Sequence, residues 1–298
     1  MKGRDLLAAL VVVIIWGTNF VAMKVGLRYF TPFQLGVGRF LFATLPLVLF
    51  LRRPPVAPRW MVLYGLTQGL GQFGFVFMSL KVGMSASLAS VLLQTQIFFT
   101  AVYGYALLGE KPTRQLLLGL GIAALGLLCF GMNYAGAAGA GDTTVAGFVL
   151  CLAGAAMWAA SNIVVRRAQQ SSPGFDPLAF LVWSCLAPIV PFALLSLAFD
   201  PAATRWQWTA APLSAWVALA YLGWMATLVG YGLWTLLLKR HPANKVAPFS
   251  LGVPVVGITA GVLILDESIT AWQWGGIALT VLALMCVLFG GRLFRPAA

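Results

Sequence analysis

Charged residues are scarce in this sequence of 298 residues: they make up 9% of it, and only 7 of them are Asp or Glu. A soluble protein of this length needs a much more polar surface. Because 61% of the residues are hydrophobic, the composition instead suits a chain whose solvent is lipid. We therefore expect an integral membrane protein and not one or two soluble domains.

Residues that bind metals or act in catalysis are also few. The sequence has 1 histidine and 4 cysteines, and the cysteines lie in separate apolar runs, without the close pairs that metal and redox sites need. The acidic residues all fall in loops or at helix ends: Asp5, Glu110, Asp142, Asp176, Asp200, Asp266 and Glu267. We therefore expect no enzyme, no catalytic residue, no metal site and no cofactor.

Long apolar runs are what the chain has in abundance, and a run of about 20 residues is enough to cross a bilayer as a helix. Gly, Pro and charged residues divide the sequence into ten such segments, at 6–25, 33–51, 61–80, 85–108, 115–133, 145–165, 178–198, 213–238, 244–265 and 273–291. The connections are short, which leaves no room for an extramembrane domain. The sequence therefore predicts an all-α protein with ten transmembrane helices.

The basic residues lie in the gaps between these segments, and this arrangement indicates membrane topology rather than nucleic-acid binding. The net charge is +12 from 19 Lys and Arg. Fourteen of these residues lie at the termini or in even-numbered loops, and one, Arg39, lies within a helix; the other side has only Lys24, Arg28, Lys81 and Arg205. Since Lys and Arg accumulate in cytoplasmic loops, we expect both termini to be cytoplasmic.

The two halves of the chain resemble each other. The segment F-G-F-V-F-M-S-L-K (73–81) precedes a helix ending in L-L-G-E-K-P-T (107–113), and Y-G-L-W-T-L-L-L-K (231–239) precedes one ending in I-L-D-E-S-I-T (264–270), which aligns Glu110 with Glu267. We divide the chain into repeats at 1–138 and 139–298. Each repeat has five helices, so the second crosses the membrane inverted. Inverted repeats are common in secondary transporters, whose sites lie between them.

Several motifs resemble the drug/metabolite transporter superfamily, in its ten-helix EamA-type branch, over essentially the whole chain. They are W-G-T-N-F (16–20), G-R-F (38–40), the paired L-G-E and L-D-E helix ends, and A-P-F-S-L-G-V-P-V-V-G (247–257). The resemblance implies a central cavity lined by helices 1, 3, 4, 6, 8 and 9, and export of amino acids or metabolites across the bacterial inner membrane. Unlike many members, the chain has Pro248 and Pro254 in helix nine but no proline in helix four. If these prolines are gating hinges, helix four must bend by other means, near its glutamines.

Polar and aromatic residues on the same helices are the candidates for substrate binding. Gln68 and Gln72 are four residues apart in helix three, and helix eight has an aromatic stripe. Gln94 and Gln96 in helix four do not share a face, so we expect at most one of these two glutamines in the cavity. The alternatives are interhelical hydrogen bonds and an aromatic belt at the headgroups. The candidates are Trp16, Asn19, Gln68, Gln72, Gln94, Trp158, Asn162, Trp224, Thr227 and Tyr231.

Charged residues in or near the helices have two interpretations each. Lys24 suits a side chain that reaches water at the outer helix end. Arg39 lies deeper, and it either binds helix-end carbonyls or offers its charge to a substrate carboxylate; we favour the structural role. Glu110 and Glu267 lie at matching helix ends, where we expect them to cap a helix or to connect the repeats.

The absence of an acidic residue in mid-membrane argues against a cationic substrate and against proton exchange at such a group. A pocket of amides, hydroxyls and aromatic rings suits a small neutral amino acid, with facilitated diffusion as plausible as proton coupling. We expect a small-molecule substrate and the lipid bilayer as partners, no nucleic acid, and a monomer that works by alternating access. The rival hypotheses are a nucleotide-sugar or cationic-drug carrier and a channel.

Overall fold

The computed structural model of the chain describes residues 3–135, 143–241 and 243–293, and the regular elements in these ranges are all helical. Asp142, Lys2, Arg295 and the predicted boundary between residues 138 and 139 lie outside the described residues. Ten helical segments follow one another: α1 (Gly3–Gly26), α2 (Pro32–Thr44), α3 (58–81), α4 (Ala86–Leu108), α5 (Arg114–Ala135), α6 (Val145–Ser171), α7 (Pro177–Phe199), α8 (Leu213–Arg240), α9 (243–265) and α10 (Ala271–Leu293).

Eight of these helices contain a stretch long and apolar enough to cross a membrane. The other two occupy the predicted spans 33–51 and 61–80. The helix α2 has 13 residues and is followed by a 3-10 turn at Leu47–Leu49, whereas α3 is divided into Pro58–Tyr64, Gly65–Phe73 and Gly74–Lys81. The all-helical membrane fold predicted from the sequence is therefore confirmed.

Local sequence signals set where several helices begin. At the start of α2, the backbone N–H of Gln34 donates to Thr31 Oγ1 at 3.1 Å, and the backbone N–H of Thr31 donates to Gln34 Oε1 at 3.2 Å. This reciprocal pair is a capping box, which satisfies N–H groups that have no partner inside the helix. Asp176 caps the start of α7 with its side chain, because its Oδ1 accepts from the backbone N–H of Leu178 at 3.0 Å.

Small residues let the helices that surround the centre of the bundle approach closely. The helix α1 packs against α9, where a Cβ added to Gly17 would lie 2.5 Å from the side chain of Val256. The helix α9 also meets α4, where a Cβ on Gly257 would collide with Ser90. Because real Cβ atoms do not approach this closely, the glycines hold α1, α9 and α4 together.

The central parts of α3 and α8 are π-helical, at Gly65–Phe73 and Tyr221–Val229. A π-helix forms its hydrogen bonds from i to i+5 and has more residues in each turn than an α-helix, so residues three apart no longer lie on one face. The side chain of Thr227 follows this register, because its hydroxyl donates to the carbonyl of Leu222, five residues earlier, at 2.9 Å. A spacing of three, which is part of the pattern that we used for the stripe of α8, therefore no longer marks one face within these two segments.

Contacts between helix ends define the two ends of the bundle. At one end, Asp5 of α1 pairs with Arg240 of α8, and Glu110 after α4 pairs with Arg166 of α6. We name this the basic end. At the other end, Glu267 after α9 binds the first residues of α4, and Lys81 of α3 donates to the carbonyl of Leu27 after α1 at 3.3 Å. We name this the sealed end.

Candidate functional site

A cavity of about 570 Å³ lies at the centre of the bundle. We name it the central cavity. Its walls come from α1, α2, α3, α4, α6, α8, α9 and α10. Seven of the ten predicted substrate-binding residues line it, namely Trp16, Asn19, Gln72, Gln94, Trp158, Asn162 and Tyr231.

The central cavity extends to the basic end. Its lining includes Leu238, close to the end of α8, and Ala247, close to the start of α9. A neighbouring space of about 440 Å³ shares Asn162 with it and continues to the loop at Glu110 and to Arg166. The central cavity and the basic end are therefore connected by open space.

Packed side chains close the cavity at the sealed end. A separate hollow of about 400 Å³ at this end is lined by Lys24 and Ser85, and it does not reach the central cavity. On α4, Leu88 lies between Ser85 of that hollow and Ser90 of the central cavity, and it is 2% exposed. Met84 and Phe77, both fully buried, belong to the same apolar cluster. The cavity is therefore accessible from one end of the bundle.

The floor of the central cavity holds a buried arginine. Arg39 of α2 is 1% exposed. Its Nη1 donates to Asn19 Oδ1 of α1, and its Nη2 donates to Thr227 Oγ1 of α8, each at 3.2 Å. The guanidinium carbon lies 3.8 Å from the ring centroid of Phe73, within the range of a cation–π contact. Next to that ring, the side-chain oxygen of Gln72 is buried and has no hydrogen-bond partner among the described residues.

Aromatic rings form one wall of the cavity. The ring centroid of Trp16 lies 5.1 Å from that of Tyr231 and 5.4 Å from that of Trp234. The Trp16 Nε1 donates to the carbonyl of Ala226 at 3.0 Å, which fixes the ring against α8. Such a wall offers apolar and cation–π contacts to a ligand without adding charge.

Amide side chains form the opposite wall. Asn162 Nδ2 of α6 donates to Gln96 Oε1 at 2.9 Å and to Thr100 Oγ1 at 3.1 Å, and Gln94 Nε2 donates to the carbonyl of Ser250 in α9 at 3.1 Å. Both Gln94 and Gln96 line the cavity, so the expectation that only one of them reaches it is wrong. Both reach it because α4 lies between α9 and α6, and each amide binds a different neighbour.

Three predicted residues do not line the central cavity, namely Gln68, Trp224 and Thr227. Gln68 Nε2 donates to the hydroxyl of Tyr231 at 2.9 Å, and its Oε1 accepts from Ser161, so Gln68 lies behind the wall. Thr227 lies behind the floor, against Arg39. The expected position of Trp224 in the cavity is wrong, since its side chain is 45% exposed on the outside of the bundle, beside Phe42. The π-helical turn of α8 is the reason, because it rotates Trp224 away from the face of Tyr231.

The two predicted hinge prolines lie where α9 changes geometry. Pro248 is within the 3-10 segment Ala247–Leu251, and Pro254 is in the first turn of the α-helical part, Gly252–Leu265. In α4, a 3-10 turn at Leu93–Thr95 surrounds Gln94 and precedes Gln96. Both helices are therefore irregular beside the cavity, with prolines in one and glutamines in the other.

Sequence reasoning left other lining residues out of the candidate site, among them Arg39, Gln96 and Trp234. The structural role that the sequence favours for Arg39 would have its side chain bind helix-end carbonyls. Among the described residues, its two hydrogen bonds go to side chains instead. The signal that could have identified Trp234 is its spacing of three from Tyr231, in the α-helical part of α8 where that spacing holds.

Comparisons with known proteins agree with this architecture. The chain is 39% identical over 298 residues to a probable amino-acid metabolite efflux pump of Salmonella typhimurium, with 100% of this chain and 99% of the relative covered. It is 38% identical over 293 residues to a protein of the same description in Escherichia coli, with 98% and 97% covered. A solved crystal structure that is 20% identical has a TM-score of 0.64 and covers 99% of this chain and 100% of its own. That likeness supports the fold.

The family comparison matches two segments of the chain, residues 4–132 and 145–289, to the EamA-like transporter family. Together the segments include nearly all of the described residues. The chain therefore belongs to the EamA-like transporter family, within the drug/metabolite transporter superfamily.

Proposed function

We propose that this multi-pass membrane protein exports small neutral amino acids or related metabolites from the cytoplasm by alternating access. The observation that carries the proposal is the central cavity, which continues to the basic end and is closed by Met84, Leu88 and Phe77 at the sealed end. A channel would need a continuous path, whereas a carrier holds its site open to one side at a time.

The charge bias of the loops supports the proposed orientation, and a higher substrate concentration inside the cell would then drive export. Basic residues accumulate at the end where Arg166 and Arg240 lie, and loops rich in Lys and Arg face the cytoplasm. In this orientation the central cavity is open to the cytoplasm and closed to the outside. The two bacterial relatives described as probable amino-acid metabolite efflux pumps support the same direction.

The chemistry of the lining supports a neutral amino acid over a cationic drug. Among the described residues, the lining of the central cavity includes neutral amides, aromatic rings and one arginine, but no Asp or Glu. A cation would therefore meet no counter-charge, while a zwitterion can bind to amides such as Asn162 and to the ring of Trp16. Because no acidic residue is available in the lining to carry a proton, we propose facilitated diffusion without proton coupling.

Counterflow in proteoliposomes tests the proposed function. Liposomes loaded with unlabelled L-alanine, L-serine or L-leucine should accumulate the labelled form of the same amino acid, with saturable kinetics. A quaternary ammonium drug and a nucleotide sugar should neither accumulate nor compete. A proton gradient without internal amino acid should not concentrate substrate; if it does, the uncoupled mechanism is wrong.

Two substitutions separate the central cavity from the outer surface. Asn19→Ala removes an acceptor of Arg39 in the cavity, so counterflow should fall roughly tenfold, since a hydrogen bond to a charged group contributes ~1.5 kcal/mol. Trp224→Ala, on the outside of the bundle, should change counterflow less than twofold, because Trp224 does not line the central cavity. Unchanged counterflow in Asn19→Ala would contradict the proposed site.

A further inference from the structure

We propose that the guanidinium of Arg39 binds the carboxylate of the transported substrate, which makes a free carboxylate a requirement for transport. This inference rests on the proposed function and adds to it the group of the substrate that is recognised, namely the carboxylate, and the residue that binds it. It also changes the role that the sequence favours for Arg39 from structural support to substrate recognition.

The position of Arg39 is the first observation. Its side chain is 1% exposed and contributes to the lining of the central cavity, at the level of Asn19 and Phe73. These three residues come from α2, α1 and α3, so the arginine lies where the helices of the first repeat converge. A substrate that enters the central cavity from the basic end can therefore approach Arg39.

The lack of a counter-charge is the second observation. None of the ion pairs among the described residues includes Arg39. In the described part of the chain, its hydrogen-bond acceptors are the neutral side chains of Asn19 and Thr227, and its buried Nε has no partner. Removing a charge from water is costly, and neutral acceptors offset that cost only in part.

The hydrogen-bonding capacity of the guanidinium is the third observation. An arginine side chain has five N–H donors, and two of them are used, by Asn19 and Thr227. The remaining donors and the full positive charge suit a carboxylate, which accepts two parallel hydrogen bonds from one guanidinium. Asn19 and Thr227 hold the group in a fixed orientation without neutralising it, as a preorganised anion site requires.

The contacts of Arg39 differ from those expected for a purely structural arginine. A structural role would satisfy the side chain with backbone carbonyls at helix ends or with an acidic partner. Arg205 shows the first pattern, since it donates to the carbonyl of Leu197 at 2.9 Å. Arg166 shows the second, in its pair with Glu110 at 2.8 Å. Arg39 shows neither pattern among the described residues, and it is the one of these three that lines the central cavity.

Substrate analogues without a carboxylate test the inference. Competition against labelled L-alanine, L-serine or L-leucine in counterflow should be at least tenfold stronger for each amino acid than for its carboxamide, because the amide cannot form the charged pair. In Arg39→Gln, this preference should fall to less than threefold. Arg39→Lys should keep part of the preference, since lysine retains the charge but not the planar pair of donors. Arg52→Gln, an exposed arginine outside the cavity, should keep the full preference.

A structural role gives a different result in the same experiment. If Arg39 only supports the fold, Arg39→Gln lowers transport of the amino acid and of the carboxamide alike, and an unchanged ratio overturns the inference. If Arg39→Gln does not fold, two other measurements decide. The inference is also overturned if Arg39→Lys keeps the full preference for the amino acid over its carboxamide. It is overturned as well if the acid and the amide compete equally in the wild type. Absence of any amino-acid counterflow in the wild type would instead refute the proposed function.

Discussion

Each end of the bundle has a glutamate, and the two glutamates make different kinds of contact. At the sealed end, the carboxylate of Glu267 accepts hydrogen bonds from the backbone N–H groups of Ala86 and Ser87, at 2.6 and 2.9 Å, and from the Ser87 hydroxyl at 2.7 Å. At the basic end, Glu110 pairs with Arg166 at 2.8 Å, and their side chains are 55% and 44% exposed. The sequence repeat aligns these two glutamates, yet one binds a helix start and the other a solvated side chain.

The difference indicates which of the two contacts is the stronger one. The first N–H groups of α4 have no partners inside the helix, and a carboxylate there satisfies them and interacts favourably with the helix dipole. Hydrogen bonds to a charged group contribute about 1.5–3 kcal/mol each, whereas an exposed ion pair contributes roughly 0–1 kcal/mol. Glu267 therefore stabilises the closure of the sealed end far more than the pair of Glu110 and Arg166 stabilises the basic end.

Glu267→Gln should have the largest effect on this asymmetry. The amide keeps the size of the side chain but removes the charge that three donors share, so the closed sealed end should lose roughly 2 kcal/mol, about thirtyfold in the balance between the two conformations. The measurement is labelling of Ile97→Cys, in the central cavity, with a membrane-impermeant maleimide in a background without the native cysteines. Labelling from the sealed-end side should rise and labelling from the basic-end side should fall.

The matched control for Glu267→Gln is Asp266→Asn, an exposed acidic residue next to it in the chain. It removes the same charge without any of the three hydrogen bonds, so labelling of Ile97→Cys should stay within twofold of the parent. Equal effects of the two substitutions would show that net charge, and not the contact with α4, controls the sealed end.

Gly261→Ala should open the same end by a smaller amount. A Cβ at this position would collide with Ser87 Oγ and lie 2.5 Å from Glu267 Oε2. The methyl group must push α9 away from α4, which lengthens the bonds of Glu267 but does not remove them. We expect a three- to tenfold rise in maleimide labelling from the sealed-end side, or roughly 1 kcal/mol.

The control for Gly261→Ala is Gly121→Ala in α5, where an added Cβ meets nothing within 4 Å. It tests the general effect of replacing a helical glycine with alanine, which is favourable for a helix by roughly 0.5–1 kcal/mol. Labelling of Ile97→Cys should not change. A rise in both variants would mean that helix propensity and not the contact at Ser87 is responsible.

The broad architecture could be predicted from sequence because it depends on local signals. Hydropathy alone locates the spans, since a bilayer demands long apolar helices. The correspondence of Glu110 with Glu267 in the sequence could be found because both lie in similar motifs. The expectation that they connect separate helices agrees with their contacts with Arg166 and Ser87. Most of the aromatic and amide lining residues lie on the helices that the family resemblance indicates.

The geometry of the site could not be predicted because it depends on long-range contacts and on irregular helices. The prediction for Trp224 is wrong because the π-helical segment Tyr221–Val229 changes which residues share a face. No residue pattern that we used reveals such a segment. The surroundings of Arg39 depend on Asn19 of the preceding helix and on Thr227 of α8, which is 188 residues away in the chain. A sequence pattern gives the face of a helix but not which neighbour lies opposite it.

Glu110→Gln should have the smallest effect. The substitution removes the charge that pairs with Arg166, but both side chains are about half exposed, at 55% and 44%, and water replaces the lost interaction. Maleimide labelling of Ile97→Cys from either side should stay within about twofold of the parent, and raising the salt concentration should remove even this difference, because salt screens exposed charges. A tenfold change would mean that Glu110 holds the basic end in its present state as strongly as Glu267 holds the sealed end. In that case the asymmetry between the two ends would come from packing at residues such as Met84 and Leu88 rather than from the partners of the two glutamates.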